Sequence, residues 1–304
     1  MDKVELLKKL KGVEALAKKT RWGRLTHHPV KYLHAVLYRK WVYPYRGSKR
    51  AVSNTFFDRE MRLNLPAATD IYLTGGKSHP SEIELAAFLI RRLEAGQVFW
   101  DVGAHYGYFS LLAADLVGPD GSVCAFEPSE FSFELLKLNT ASIDRVEVFK
   151  KAVSNTCGEL TFFEFPALYS EYNSLDISQY QNEKWRQKVN AVKNTVQAVT
   201  LDSLADELQR LPDVIKIDVE GAEDQVIEGG KKILQENNIA VVMEYLAADR
   251  SNQSHRRAKE QLLEWGYRVY RIDPKGELVP EKDPDAYMEK KRSFSENFVF
   301  IQDR

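Results

Sequence analysis

Sulfur is scarce in this chain. Among 304 residues only Cys124 and Cys157 occur, too few for a disulfide framework and without the CxxC or His/Cys spacing of a zinc site. Two buried, reduced thiols are expected. No apolar run approaches the roughly 18 residues of a bilayer span, and the first residues carry charge where a secretory signal would be apolar. A cytoplasmic chain is therefore expected. The dinucleotide fingerprint GxGxxG and the phosphate loop GxxxxGK[ST] are both missing, which argues against an oxidoreductase built on the same kind of sheet. Internal repeats and low-complexity tracts are absent, and so is net charge, at 43 basic against 44 acidic residues. With 44% hydrophobic content, a disordered or collagen-like chain is excluded.

The near-zero total conceals an asymmetry. Residues 1–50 hold 14 Lys/Arg and 3 Asp/Glu, a charge of +11 that leaves -12 for the remainder. Leu7, Leu10, Val13, Leu16 and Ala17 recur at helical steps among lysines. A second helix is expected from Pro29 through Leu33, Val36, Leu37 and Trp41. The reading is a basic, aromatic helical arm with its lead-in over residues 1–75, ahead of one domain over 76–304.

A helix is expected to start at Ser81, which has capping-box spacing to Glu84. Beyond it, short apolar runs at 97–102, 122–127, 146–151, 213–218, 239–245, 267–272 and 296–301 alternate with helical segments at 107–117, 130–140, 222–236 and 254–265. Such alternation implies an α/β fold with a largely parallel sheet covered on both faces. An insertion at about 159–201 breaks the rhythm with two extra strands around a polar, aromatic segment, a usual place for a substrate lid.

Three strand ends carry chemistry. The first runs from Asp101 through Gly103, Ala104, His105 and Gly107 to Tyr108, a strand entering a glycine turn and then a helix, whose free N–H groups can hold a carboxylate; Asp101 is placed to accept a ligand ammonium. The second ends at Glu127, followed by Pro128 and Ser129, where a carboxylate can take hydrogen bonds from both hydroxyls of a ribose. The third is Lys216-Ile217-Asp218-Val219-Glu220-Gly221-Ala222-Glu223, three acids and a lysine at one strand end.

In this order DVGAHYGYFS, AFEPS, TLDSL (200–204) and KIDVEGAE resemble the FkbM-type family of S-adenosylmethionine-dependent methyltransferases, over roughly residues 76–301. The resemblance implies a Rossmann-like seven-stranded sheet of order 3-2-1-4-5-7-6 with the last strand antiparallel. It also implies S-adenosyl-L-methionine as cofactor and O-methylation of a hydroxyl on a sugar, glycolipid or small natural product. It places the methionine end of the cofactor at Asp101 to Tyr108, the ribose at Glu127, and the adenine near Ala152 and Val153. Asp218 is the favoured base, with Glu220 orienting the acceptor. His105 is a competing base, and Glu244 a weaker candidate on the same rim. Tyr169, Tyr172, Asn173 and Ser174 in the insertion either contact a sugar or pack.

No metal ligand set is assigned, since the acids define no ligand count. Rival readings are a nucleic-acid methyltransferase, which the basic arm would suit but the Asp218 turn would not, and a non-catalytic binding protein on the same fold. The expected partner is a hydroxyl-bearing small molecule or glycan; residues 1–50 either contact an anionic membrane peripherally or pack on the acidic remainder as a cap or dimer contact. A homo-oligomer is left open.

Overall fold

The computed structural model describes residues 2–177, 180 and 185–302. Chain order begins with α1 (Lys3–Lys18), α2 (Arg21–His27) and α3 (Pro29–Leu37), which continues through a π-helical turn (Tyr38–Val42) into α4 (Tyr43–Arg46). Asp2 caps α1 by accepting from the N–H of Val4. Leu6, Leu10 and Val13 of α1 are buried in the same apolar cluster as Leu85, Leu89, Phe109 and Leu112, so this helix is part of the core.

A hairpin, β1 (Lys49–Asn54) with β2 (Glu60–Leu65), and α5 (Thr69–Thr74) lead to α6 (Pro80–Arg92). The expected capping box does not form at Ser81. Pro80 is the first helical residue, His79 precedes it, and the Ser81 hydroxyl is turned to His79 Nδ1 at 2.7 Å.

The strands β3 (Val98–Val102), β4 (Ser122–Phe126) and β5 (Val146–Phe149) alternate with α7 (Tyr108–Val117) and α8 (Glu130–Thr140). Next come β6 (Ala152–Val153), β7 (Gly158–Glu164) and β8 (Val192–Val199), a separate three-stranded sheet of order β6-β8-β7 that contains the expected insertion; positions 178–179 and 181–184 lie outside the described residues. Helix α9 (Leu201–Leu208), capped by Thr200 and Ser203, was not expected from periodicity. The remaining elements are β9 (Val214–Ile217), α10 (Glu223–Glu228), α11 (Lys231–Glu236), β10 (Ala240–Leu246), α12 (Gln253–Glu264), β11 (Tyr267–Ile272), β12 (Leu278–Pro280), α13 (Pro284–Lys291) and β13 (Ser295–Gln302).

The main sheet runs β12-β11-β13-β10-β9-β3-β4-β5. From β10 to β5 the strands are parallel, whereas β13 is antiparallel to both neighbours. It has eight strands and not the expected seven. The extra one arises because Asp273 accepts from the N–H groups of Lys275 and Glu277, turning the chain back so that β12 pairs with β11.

The single helix expected over 222–236 is two. The break falls at Gly229-Gly230, where Gly230 leaves helical geometry with φ -108°, and a Cβ on Gly229 would lie 2.1 Å from the carbonyl oxygen of Ser154, so only glycine fits there. Of the two thiols, Cys124 is buried in β4 but Cys157 is exposed, on the turn into β7. Among the described residues no helix is long and apolar enough to cross a membrane.

If α1 belongs to the core, truncating its buried face must be felt globally. Leu10→Ala, at 3% exposure, is expected to lower unfolding free energy by about 2–5 kcal/mol. Val4→Ala on the opposite face, at 74% exposure, is expected to stay within about 0.5 kcal/mol. Urea unfolding of the full chain distinguishes this from a helix resting loosely on the surface, for which both variants would be near neutral.

Candidate functional site

A cavity of about 570 Å³ opens at the carboxyl ends of β3, β4, β9 and β10, within the roughly 300–1,000 Å³ of small-molecule sites. Parallel strands aim their chain ends at one edge, so the three motifs meet there although 26 and 117 positions separate Asp101 from Glu127 and from Asp218.

The turn after β3 is shaped by contact with the turn after β9. Gly103 has φ +79°, and a Cβ there would fall 1.8 Å from the carbonyl oxygen of Asp218. Gly107 closes the turn, its N–H donating to the Ala104 carbonyl at 2.8 Å. Gly103, Ala104, His105 and Tyr108 line the cavity. Asp101 is not at the wall: it is 1% exposed, its Oδ2 accepts from the Ser110 hydroxyl at 2.6 Å, and its Oδ1 lies 3.3 Å from Lys216 Nζ. The expected contact from Asp101 to a ligand ammonium is therefore blocked by its own partners.

Lys216 is 3% exposed and holds three strand-end groups together: Asp101, Asp218 Oδ2 at 3.4 Å, and the Gly103 carbonyl at 3.1 Å. Burial alone would push Asp218 up, but the ammonium groups of Lys216 and Lys77 hold it below the usual carboxylate range. The other two acids behave oppositely. Glu220 is raised to about 8 by burial and by Asp218, and Glu244 is raised well above its ordinary value by burial, Asp218 and Glu220. One carboxylate oxygen from each of Asp218, Glu220 and Glu244 lies within 4.8 Å of the others. Like charges this close oppose one another's ionisation, which raises Glu220 and Glu244 while Asp218, beside the two lysines, stays low.

Glu220 has φ +58°, a conformation held from outside: the Ser174 hydroxyl donates to its carbonyl and the Tyr180 hydroxyl to its Oε2. Glu223, the last acid of the third motif, does not face the cavity. It accepts from the N–H groups of Val219 and Gly221 and lies against His255.

Glu127 is 6% exposed at the wall. Its Oε2 accepts from the His105 N–H and its Oε1 from the Ser129 N–H, both at 2.9 Å, and burial lifts it to about 7. Each oxygen retains a lone pair for a further donor. Pro128, Ala152 and Val153 line the same side with Phe126 and Phe162, an apolar slot beside a carboxylate. Ser129 is not among the lining residues; it caps α8.

The His105 ring stacks on Tyr106 at 3.6 Å and its Nε2 is 3.0 Å from the Ser170 hydroxyl. Burial and the charge of Lys77 bring it down to about 3, so the imidazole is neutral and a weak base. In the insertion Tyr169 and Tyr172 stack on Trp185 at 4.8 and 4.9 Å, Asn173 accepts from the Phe165 N–H, and Ser174 supports Glu220. Tyr172 and Asn173 nonetheless form part of the wall.

Several wall residues had no signal in the sequence. Lys77 is ion-paired with Glu82 at 2.5 Å; burial would lower it, but Glu82, Glu171 and Asp218 raise it well above its ordinary value. Asp70 and Glu171 are pushed up by burial, Glu171 to about 7. These residues belong to the α5–α6 region and the insertion, which only the tertiary fold brings to the strand ends. The Tyr180 hydroxyl likewise points at Glu220 from far along the chain.

Residues 101–269, more than half of the chain, match the methyltransferase FkbM domain family. A curated relative, the hexuronic acid methyltransferase AglP of Haloferax volcanii, is 23% identical over 171 residues, which is 55% of this chain; the match spans 64% of that relative, less than two thirds of its length. Among solved structures, a methyltransferase FkbM from Methylobacillus flagellatus superposes at TM-score 0.44 with 15% identity, over 77% of this chain and 52% of that one. An O-methyltransferase from Bacillus cereus in complex with SAH does so at TM-score 0.41 with 14% identity, over 74% and 81%.

The Lys216 arrangement has a measurable consequence. Lys216→Met leaves buried Asp101 without its cation and Asp218 with Lys77 alone, and is expected to destabilise the chain by about 3–5 kcal/mol, a loss that the double variant Lys216→Met/Asp101→Asn should partly restore. In the wild type the Asp218 contribution is fully present above the ordinary carboxylate pKa and is lost as pH falls through its depressed native value. Denaturant unfolding from pH 7 to pH 3 checks both. A Lys216→Met protein as stable as wild type would show that the ammonium is dispensable.

Proposed function

Because the chain belongs to the FkbM methyltransferase family, we propose that its cavity binds S-adenosyl-L-methionine and that the protein O-methylates a hydroxyl, on a sugar or glycolipid in particular. The observation that carries this reading is Glu127, a carboxylate with spare lone pairs between an apolar slot and the acidic cluster at the strand ends. A ribose presents two donors to such a carboxylate, the slot of Phe126, Pro128 and Val153 takes a flat base, and the acids favour a ligand that carries cationic groups. The residues therefore fit the group.

When bound, S-adenosylmethionine supplies an electrophilic methyl on a sulfonium. The chain's part is to hold an acceptor oxygen in line and to receive its proton, alignment being worth up to roughly 7–11 kcal/mol. Asp218 is the ionised member of the cluster and takes the role of hydrogen-bond acceptor to the incoming hydroxyl. Glu220 and Glu244, both raised by burial and by their neighbours, orient the acceptor, and His105 serves the cofactor turn as a neutral group. The name of the Haloferax relative carries a sugar acid, a hexuronic acid, as the acceptor. Tyr172 and Asn173, facing the same cavity, are placed to meet such a ring.

Titration calorimetry with S-adenosylmethionine tests the cofactor. Affinity should rise between pH 6 and 8 as Glu127, at about 7, becomes ionised and able to accept from both hydroxyls. Glu127→Gln should make that dependence shallower, leaving the part that Glu220 contributes, and Glu127→Ala should weaken binding about 10- to 150-fold. An unchanged affinity in folded Glu127→Ala removes the residue from the ribose site.

Incubation with labelled S-adenosylmethionine and a cell extract identifies the methylated molecule. Asp218→Asn keeps the shape but cannot take a proton, so turnover should fall about 10²- to 10⁴-fold with cofactor affinity changed far less. Turnover near that of wild type would exclude Asp218 as the group that receives the proton.

A further inference from the structure

Sequence periodicity alone cannot say which side of an amphipathic segment faces the protein. In α3 and its continuation Ala35 and Tyr38 are buried, at 3% and 7%, and the Tyr38 hydroxyl donates to the Gly47 carbonyl. That inner face is small, and the outer face is apolar as well. Val30, Leu33, Leu37 and Trp41 recur at i, i+3, i+7 and i+11 along one outward side, with exposures of 80%, 49%, 52% and 63%. Trp22 of α2 at 77% and Tyr45 of α4 at 86% are exposed on the helices that flank it in the chain. Scattered exposed apolar residues are ordinary, but two tryptophans, a tyrosine and four aliphatic side chains, Val36 included, within 24 consecutive positions are not.

The charge around the patch has one sign. No Asp or Glu occurs between residues 15 and 57, an interval that holds ten Lys and Arg. Arg39, Lys40, Arg46, Lys49 and Arg50 are exposed around the apolar residues, and the Lys40 ammonium lies over the Trp41 ring at 5.5 Å. Between α3, its π-helical turn and β1 there is an open hollow lined by His34, Arg46 and Lys49 and by Leu37, Tyr38 and Val42. Cationic side chains beside an apolar floor match a lipid phosphate with its first methylenes.

We propose that the face formed by α2, α3 and α4 docks on an anionic lipid bilayer, inserting Trp22, Leu37 and Trp41 to the depth of the headgroups while the surrounding Arg and Lys meet lipid phosphates. Aromatic side chains of this kind favour the interface between hydrocarbon and water, and basic residues near an anionic leaflet add attraction. A nucleic acid would be met by the same charge but leaves the aliphatic stripe without a partner. A second copy of the chain would bring ten basic residues against ten. The docking face adjoins the cavity, because Ala17 and Arg24, at the junction of α1 and α2, stand on its rim. Docking therefore holds that rim close to the bilayer, within reach of an acceptor carried on a lipid. The docking itself does not rest on the methyltransferase reading, and binding is measured without turnover.

The full chain is to be co-sedimented with vesicles of phosphatidylcholine containing about one third phosphatidylglycerol, and with phosphatidylcholine vesicles alone. The expected result is pelleting with the anionic vesicles, a blue shift of tryptophan emission on binding, and at least roughly tenfold weaker binding by Trp22→Ala/Leu37→Ala/Trp41→Ala. Arg39→Glu/Lys40→Glu/Arg46→Glu should lose binding similarly and keeps the test decisive if the first variant folds poorly. The replaced side chains are exposed, so melting temperatures should match wild type. No pelleting with either vesicle, or equal pelleting by wild type and the charge-reversed variant, overturns the proposal. So does light scattering that shows a dimer abolished by the apolar variant, or tight binding to duplex RNA at a salt concentration where vesicles are not bound.

Discussion

A lysine without water must be surrounded by charge of the opposite sign or lose its proton, and Lys216 meets that requirement with one acid from its own strand and one from the next. Asp101 and Lys216 are register partners in adjacent parallel strands. A slip of one residue would turn one of them to the other face of the sheet. The ion pair thus binds the register of β9 on β3 to the chemistry at their ends. Because that register is set, the Asp218 carbonyl comes against Gly103, the first turn takes its left-handed step, and the backbone of His105 is delivered to Glu127. The pair adds little net stability of its own, since desolvation offsets most of its attraction, yet it decides where three separate loops sit.

What the amino-acid sequence reveals follows the range of the interactions involved. Buried parallel strands are apolar on both faces, so β3, β4, β9 and β10 stand out as short hydrophobic runs. Local rules mislead where a distant partner competes. Ser81 has the spacing of a capping residue, but Pro80 begins the helix and His79 takes the hydroxyl. The run at 222–236 has helical composition, but it is interrupted at Gly229-Gly230, where the chain packs too closely on the Ser154 carbonyl for any side chain at 229.

The same division holds in the cavity. Glu127 and Asp218 are legible because a carboxylate at the end of an apolar strand is a local pattern. Lys77, Asp70, Glu171 and Tyr180 are not, since nothing near them in the chain refers to the sheet they come to face. Asp101 and Glu223 show the opposite limit: acids at a strand end and a helix start look alike in sequence whether they meet a ligand or, as here, Lys216 and the backbone of the neighbouring turn.

The raised proton affinity of Glu220 and Glu244 bears on the heat of ligand binding. A cation entering beside them favours their ionised forms, so part of its attraction is spent on expelling hydrogen ions into the solvent. Association in this cavity is then an exchange of one positive species for another, and the enthalpy it shows includes the ionisation heat of whichever buffer collects what is released. Two buffers of equal pH and unlike ionisation enthalpy would report different heats for one and the same event, and their difference counts the hydrogen ions displaced.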